Sequence, residues 1–176
     1  MMRPSTTALA VLMLAFGVGA AAPAAEARPH GEGWAAFARG DYVRAARLLT
    51  PMAQRGHPRA MTLLGYMYDN GFGVPQSYET AVELYDGAAE RGDPVAQHLL
   101  GLTYDKGHGV IQDHVLAYKW LTLAAAAAPM REREPYLRIR NAVASKMSAD
   151  QIIDGQRLAI EWQHRPIGSD VAASGL

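Results

Sequence analysis

Gly56-His57-Pro58-Arg59-Ala60 returns 36 positions later as Gly92-Asp93-Pro94-Val95-Ala96, and a chain that repeats itself at such an interval has few folds open to it. The same offset relates Leu64-Gly65 to Leu100-Gly101 and Tyr68 to Tyr104. It also relates Gly71-Phe72-Gly73-Val74 to Gly107-His108-Gly109-Val110, and Gln76 to Gln112. A partial earlier copy is visible, because Tyr42, Ala45, Leu48 and Ala53 precede Tyr78, Ala81, Leu84 and Ala89 by the same distance; Ala117 and Ala125 carry the series on. One such unit cannot bury its own apolar face, so consecutive units must stack.

The punctuation inside a unit marks two helices. His57 and Asp93 fall at N-cap positions, with Pro58 and Pro94 first in the helix, where a missing N–H costs nothing. Gly71 and Gly107 end that helix in the left-handed conformation. Asp41, Ser77 and Asp113 recur at the same spacing and start a second helix by accepting backbone N–H groups; those helices close at Gly56 and Gly92. Ala60, Leu64 and Tyr68 progress by four along one apolar stripe, and Ala45, Leu48, Leu49 and Met52 form another. Small residues at Ala60, Gly65, Ala81 and Ala88 let neighbouring helices approach closely, which favours stacked hairpins.

The period fails after Ala128, and Pro129 stops the helix. Two more helices are expected, over about 134–146 and 148–162, the second opened by a capping box of Ser148 and Gln151. Their apolar faces, Leu137, Ile139 and Val143 in one and Ile152, Ile153, Ala159, Ile160 and Trp162 in the other, need a surface, and the exposed last repeat offers one. The predicted fold is all-α: an α/α superhelical solenoid of helix hairpins over 31–128, with C-terminal capping helices over 129–163. A disordered tail over 164–176 is expected.

These residues carry a resemblance. Ala60-x3-Leu64-Gly65-x2-Tyr68-x2-Gly71-x-Gly73-Val74-x-Gln76, followed by Ala81-x2-Leu84-Tyr85-x2-Ala88-Ala89-x2-Gly92, resembles the Sel1-like repeat, a relative of the tetratricopeptide repeat. Met147-Ser148-x2-Gln151-Ile152-x3-Gln156-Arg157-Leu158-Ala159-x2-Trp162 resembles the closing helix of bacterial members. Ile111 departs from the pattern, where the family prefers proline or another loop residue. The resemblance implies an adaptor or regulator, often in the cell envelope.

The beginning of the chain reads as a signal peptide over 1–27. Arg3 supplies a positive charge, Leu9 to Val18 an apolar run, and the small-x-small rule allows cleavage after Ala24 or Ala27. A periplasmic or secreted location is expected, with no membrane span once the signal is removed. The sequence has no cysteine, so neither disulfides nor a lipid-modified cysteine is available. Lysine plus arginine equals aspartate plus glutamate at 17 each and no basic run occurs, which makes nucleic acid an unsuitable partner.

Chemistry finds little purchase. The Gly-x-Gly pairs at 71–73 and 107–109 follow no strand and lack a third glycine, so they are turns and no nucleotide loop. His98, His108 and His114 match no metal-ligand spacing, and Asp69 and Asp105 recur as the repeat recurs, at positions expected to be exposed. There is no Gly-x-Ser-x-Gly elbow. No enzyme activity, cofactor or metal is expected.

Two functions are weighed: an exported adaptor that binds another protein of the envelope, and a glycan or peptidoglycan module, with a hydrolytic enzyme a more distant third. A glycan module would present several aromatic platforms, of which Tyr66 and Phe72 are the candidates. The partner-binding groove is expected on the stripe opposite the core, through Arg59, Thr62, Tyr66 and Asn70 and their equivalents Val95, His98, Leu102 and Lys106. There Tyr66, Val95 and Leu102 are expected to be exposed.

Overall fold

The computed structural model describes residues 29–130 and 133–162. The expected signal peptide over 1–27 and the tail over 164–176 lie outside the described residues. Among the described residues eight helices follow one another: α1 Pro29–Ala38, α2 Tyr42–Gln54, α3 Pro58–Asn70, α4 Tyr78–Ala89, α5 Pro94–Lys106, α6 His114–Ala127, α7 Arg133–Ala144 and α8 Ala149–Glu161. No strand occurs among the described residues.

The starts and stops obey the punctuation of the sequence. Asp41 accepts from the Arg44 N–H at 3.3 Å, Ser77 from Thr80 at 3.2 Å, and Asp113 from Val115 and Leu116 at 2.8 and 3.0 Å. Asp93 caps α5 through the Ala96 N–H at 2.9 Å, whereas His57, in the same backbone conformation, offers its helix no side-chain bond. Gly71 and Gly107 close α3 and α5 at φ 69° and 72°, in the left-handed region.

From α1 to α7 each helix packs on the next, and odd-numbered helices also meet across unit boundaries, α1 with α3 and α3 with α5. One continuous core runs from Ala36 and Phe37 to Trp120. Glycine sets the closest approaches. A Cβ on Gly65 would stand 2.9 Å from the Tyr85 ring, and one on Gly101 would stand 2.7 Å from Leu121 Cγ, so in each unit the second helix rests on a bare stretch of the first.

The C-terminal helices both lie on α6. Their arrangement corrects the expectation for α8, whose apolar residues were to be covered together. Ile153 is 59 % and Ile160 85 % exposed, while Ile152, Ala159 and Trp162 are half-buried. The cause is a one-sided contact: Gly155 brings α8 so close to α6 that its Cβ would lie 2.8 Å from Tyr118 Cδ1, and its opposite flank faces no other helix among the described residues.

Candidate functional site

Arg59, Thr62, Tyr66 and Asn70 do follow one line along α3, but the line is no open groove. Thr62 and Tyr66 are buried, as are Val95 and His98 of the equivalent line on α5; Asn70 and Leu102 are half-buried, and only Arg59 and Lys106 are exposed. The expectation that Tyr66 and Val95 would be exposed apolar groups is therefore corrected. α3 is hemmed in by α1 and α5 as well as by α2 and α4, and α5 meets α3 on one side and, through His98 and Tyr136, α7 on the other. In both helices the second stripe is used to join units.

Tyr66 makes that junction backwards. Its ring lies 6.0 Å from Phe37 of α1 and 6.1 Å from Phe72, within a cluster completed by Trp34 and Tyr42. Burial, and then the charges of Asp69 and Tyr42, push its hydroxyl pKa up to about 12. His98 joins forwards, meeting the Tyr136 ring of α7 edge-on at 4.9 Å and 90°. Burial lowers its pKa to about 4, so it is a neutral core residue at physiological pH.

The three histidines weighed as metal ligands have three separate partners: Tyr136 for His98, the Tyr78 ring at 5.1 Å for His108, and Asp105 at 3.5 Å for His114. Among the described residues no group of three or more histidine, aspartate or glutamate side chains is arranged to hold a metal ion. The Gly-x-Gly loops seat one unit on another. Gly73 and Gly109 pass so close to Tyr42 and Tyr78 that a Cβ would lie 2.5 and 2.6 Å from the tyrosine carbonyl carbons.

Open concave surface lies instead along the edge where one unit turns into the next. A cleft of about 390 Å³ is lined by Met52, His57, Arg59, Arg91 and Asp93 among others. A second, of about 370 Å³, continues past Arg91 and Gly92 to Gln97, Leu123 and Trp162. Arg91 belongs to both. Its guanidinium donates to the Gly87 carbonyl at 2.7 Å and lies over Gly56, where a Cβ would meet Nε at 3.3 Å. Burial raises the pKa of Asp93, while the Ala96 N–H, the Thr62 hydroxyl and the nearby Arg59 favour its charged form.

The stripe read from the sequence reached this edge only at Arg59. Arg91 aligns with Arg55 at the repeat offset, so a search for repeated charge would have found it. Trp162 carried no such signal. Asp69 and Asp105, expected to be exposed, are half-buried at the opposite edge.

A family model described as the Sel1 repeat matches residues 30–57, 58–93 and 94–128. Two solved structures are similar. A protective antigen present in uropathogenic Escherichia coli strains and displaying an SLR fold is 26 % identical, with a TM-score of 0.71 and coverage of 76 % of this chain and 29 % of that one. A Sel1 repeat protein from Oxalobacter formigenes is 30 % identical, with a TM-score of 0.59 and coverage of 79 % of this chain and 56 % of that one. The chain thus spans less than a third of the first and little more than half of the second. No curated protein matches the sequence.

Proposed function

The chain belongs to the Sel1 repeat family, whose members generally mediate protein–protein interaction, and from that premise we propose that it is an exported adaptor or regulator that holds another protein of the cell envelope. The observation that carries the reading is the pair of adjoining clefts along one edge of the solenoid, with the exposed Arg59 presenting guanidinium donors, Arg91 tied to the Gly87 carbonyl between the two clefts, and Leu123 and Trp162 forming an apolar wall. That combination suits a segment of protein chain better than a small substrate, because polar anchors alternate with apolar surface over two units. Export is supported by the order of charge, apolar run and small residues before Ala27.

The glycan reading is weaker because the aromatic rings occupy one another's faces. Tyr42 and Phe72 stack at 4.7 Å, and Trp34 and Phe37 at 5.6 Å and 21°, so these four rings are taken up by one another and are not free platforms for a sugar. Affinity capture from envelope extract, run beside sedimentation with peptidoglycan, tests the choice. A defined protein retained by the native chain and lost more than tenfold by Arg59→Glu is the expected result. Sedimentation with peptidoglycan and no Arg59-dependent protein would refute it.

A further inference from the structure

Asp69 and Asp105 occupy the same place in successive units, in the last turn of α3 and of α5. Each has its backbone carbonyl bound by a loop glutamine: Gln76 Nε2 donates to Asp69 at 2.8 Å and Gln112 Nε2 to Asp105 at 2.7 Å. With the backbone so matched, the two carboxylates are presented alike, and what differs is their company.

Asp105 is neutralised. Lys146 Nζ lies 2.8 Å from Oδ1 and 2.9 Å from Oδ2, and His114 Nε2 stands 3.5 Å away. Asp69 receives only the Tyr85 hydroxyl, at 3.5 Å. Among the described residues no cation reaches ion-pairing distance of it, and Lys106 and His108 act on it from further off. Burial dominates its surroundings and raises its pKa. Beside it the Tyr66 hydroxyl, buried, makes no hydrogen bond.

A half-buried carboxylate with one long hydrogen bond is incompletely satisfied, and a positively charged donor is the group that relieves it. The neighbouring unit shows which donor this position accepts. Resting on the reading of the chain as a holder of another protein, we propose that Asp69 is the seat of a primary ammonium, the side chain of a lysine on the partner. It takes at the junction of the second and third units the place that Lys146 takes on Asp105. The compact ammonium suits the site because its three N–H groups can be shared between the carboxylate and neighbouring tyrosine hydroxyls.

Carbon-detected titration of the side-chain carboxylates in the full chain tests this without a partner. Three probes are added in turn: N-acetyl-lysine methylamide, the same compound acetylated on Nζ, and putrescine. The lysine compound is expected to move the Asp69 signal saturably and lower its midpoint, with a response at least tenfold smaller from the Nζ-acetylated form. Asp105 should stay still until Lys146→Ala vacates it, and then respond as Asp69 does. An Asp69 signal unmoved by the lysine compound, or shifted no more than those of exposed carboxylates, overturns the assignment; a response to putrescine alone overturns the protein source. Failure here leaves the envelope capture experiment free to succeed, and the converse holds too.

Discussion

The Tyr42 ring lies flat on Phe72, 4.7 Å between centroids and 10° from parallel, and at the repeat offset Tyr78 meets His108 at 5.1 Å and 36°. The residue between the two glycines thus clips each unit to the start of the preceding even-numbered helix. Because Phe72 is half-buried, Phe72→Ala should cost about 2 kcal/mol, somewhat below the range for a fully buried phenylalanine. Phe72→His, which copies the next unit, should cost less than half as much. Urea melts of the three proteins check the order, and equal losses would show that the ring's stacking face is irrelevant.

Gly101 tests the close contact between α5 and α6. A Cβ there meets Leu121 Cγ at 2.7 Å and the Ala117 carbonyl at 3.2 Å, and Leu121 is wholly buried. Gly101→Leu should lower stability by about 1–3 kcal/mol despite leucine's better helix propensity, because overpacking outweighs a gain of about 1 kcal/mol. An unchanged thermal midpoint would mean that the helices separate freely at this point.

Much of this was legible in the sequence, and the reason is local. Asp41, Ser77, Asp93, Asp113 and Ser148 cap helices through their own side chains, and Gly71 and Gly107 end them through their own backbones, so residue type alone carried the information. The buried line was not legible. An amphipathic helix has one buried stripe by assumption, but α3 is enclosed on several sides, and Thr62 and Tyr66 are as buried as Ala60 and Leu64. Polar character also misled: His98 was expected on the open stripe and is 1 % exposed. The difference between Asp69 and Asp105 depends on Lys146, 41 residues from Asp105, which lies beyond the period.

Acid should weaken the fold through His98. Burial holds its pKa near 4 against an ordinary 6.5, so the unfolded chain takes up a proton over that window and the folded chain does not. Its contribution is therefore full above pH 6.5 and declines as pH falls towards about 4, by on the order of 3 kcal/mol in all and about 2 kcal/mol by pH 5. The carboxyls of Asp69 and Asp93 are raised and act in the opposite sense, since they protonate earlier in the folded chain. Comparison of the native chain with His98→Leu at pH 7 and pH 5 isolates the histidine. The native chain should lose distinctly more between the two, and parallel losses would exonerate His98.

Ser148 tests how far a disturbance at the C-terminal end travels. Its hydroxyl accepts the Gln151 N–H at 3.2 Å while Gln151 Oε1 accepts the Ser148 N–H at 2.9 Å, so a single side-chain pair satisfies both groups at the start of α8. Ser148→Ala removes the first bond and should cost about 1 kcal/mol. The helix has little in reserve, since Gly155 is its one buried residue and Ile153 and Ile160 stand in solvent. In a stack where each element leans only on its neighbours, α8 touches α6 and the loss should stop there. Hydrogen exchange should therefore quicken several-fold across Ala149–Glu161 and modestly in α6, while α1 to α4 keep their protection. Uniform loss from α1 to α8 would show instead that these helices unfold as one unit, with the C-terminal pair integral to it.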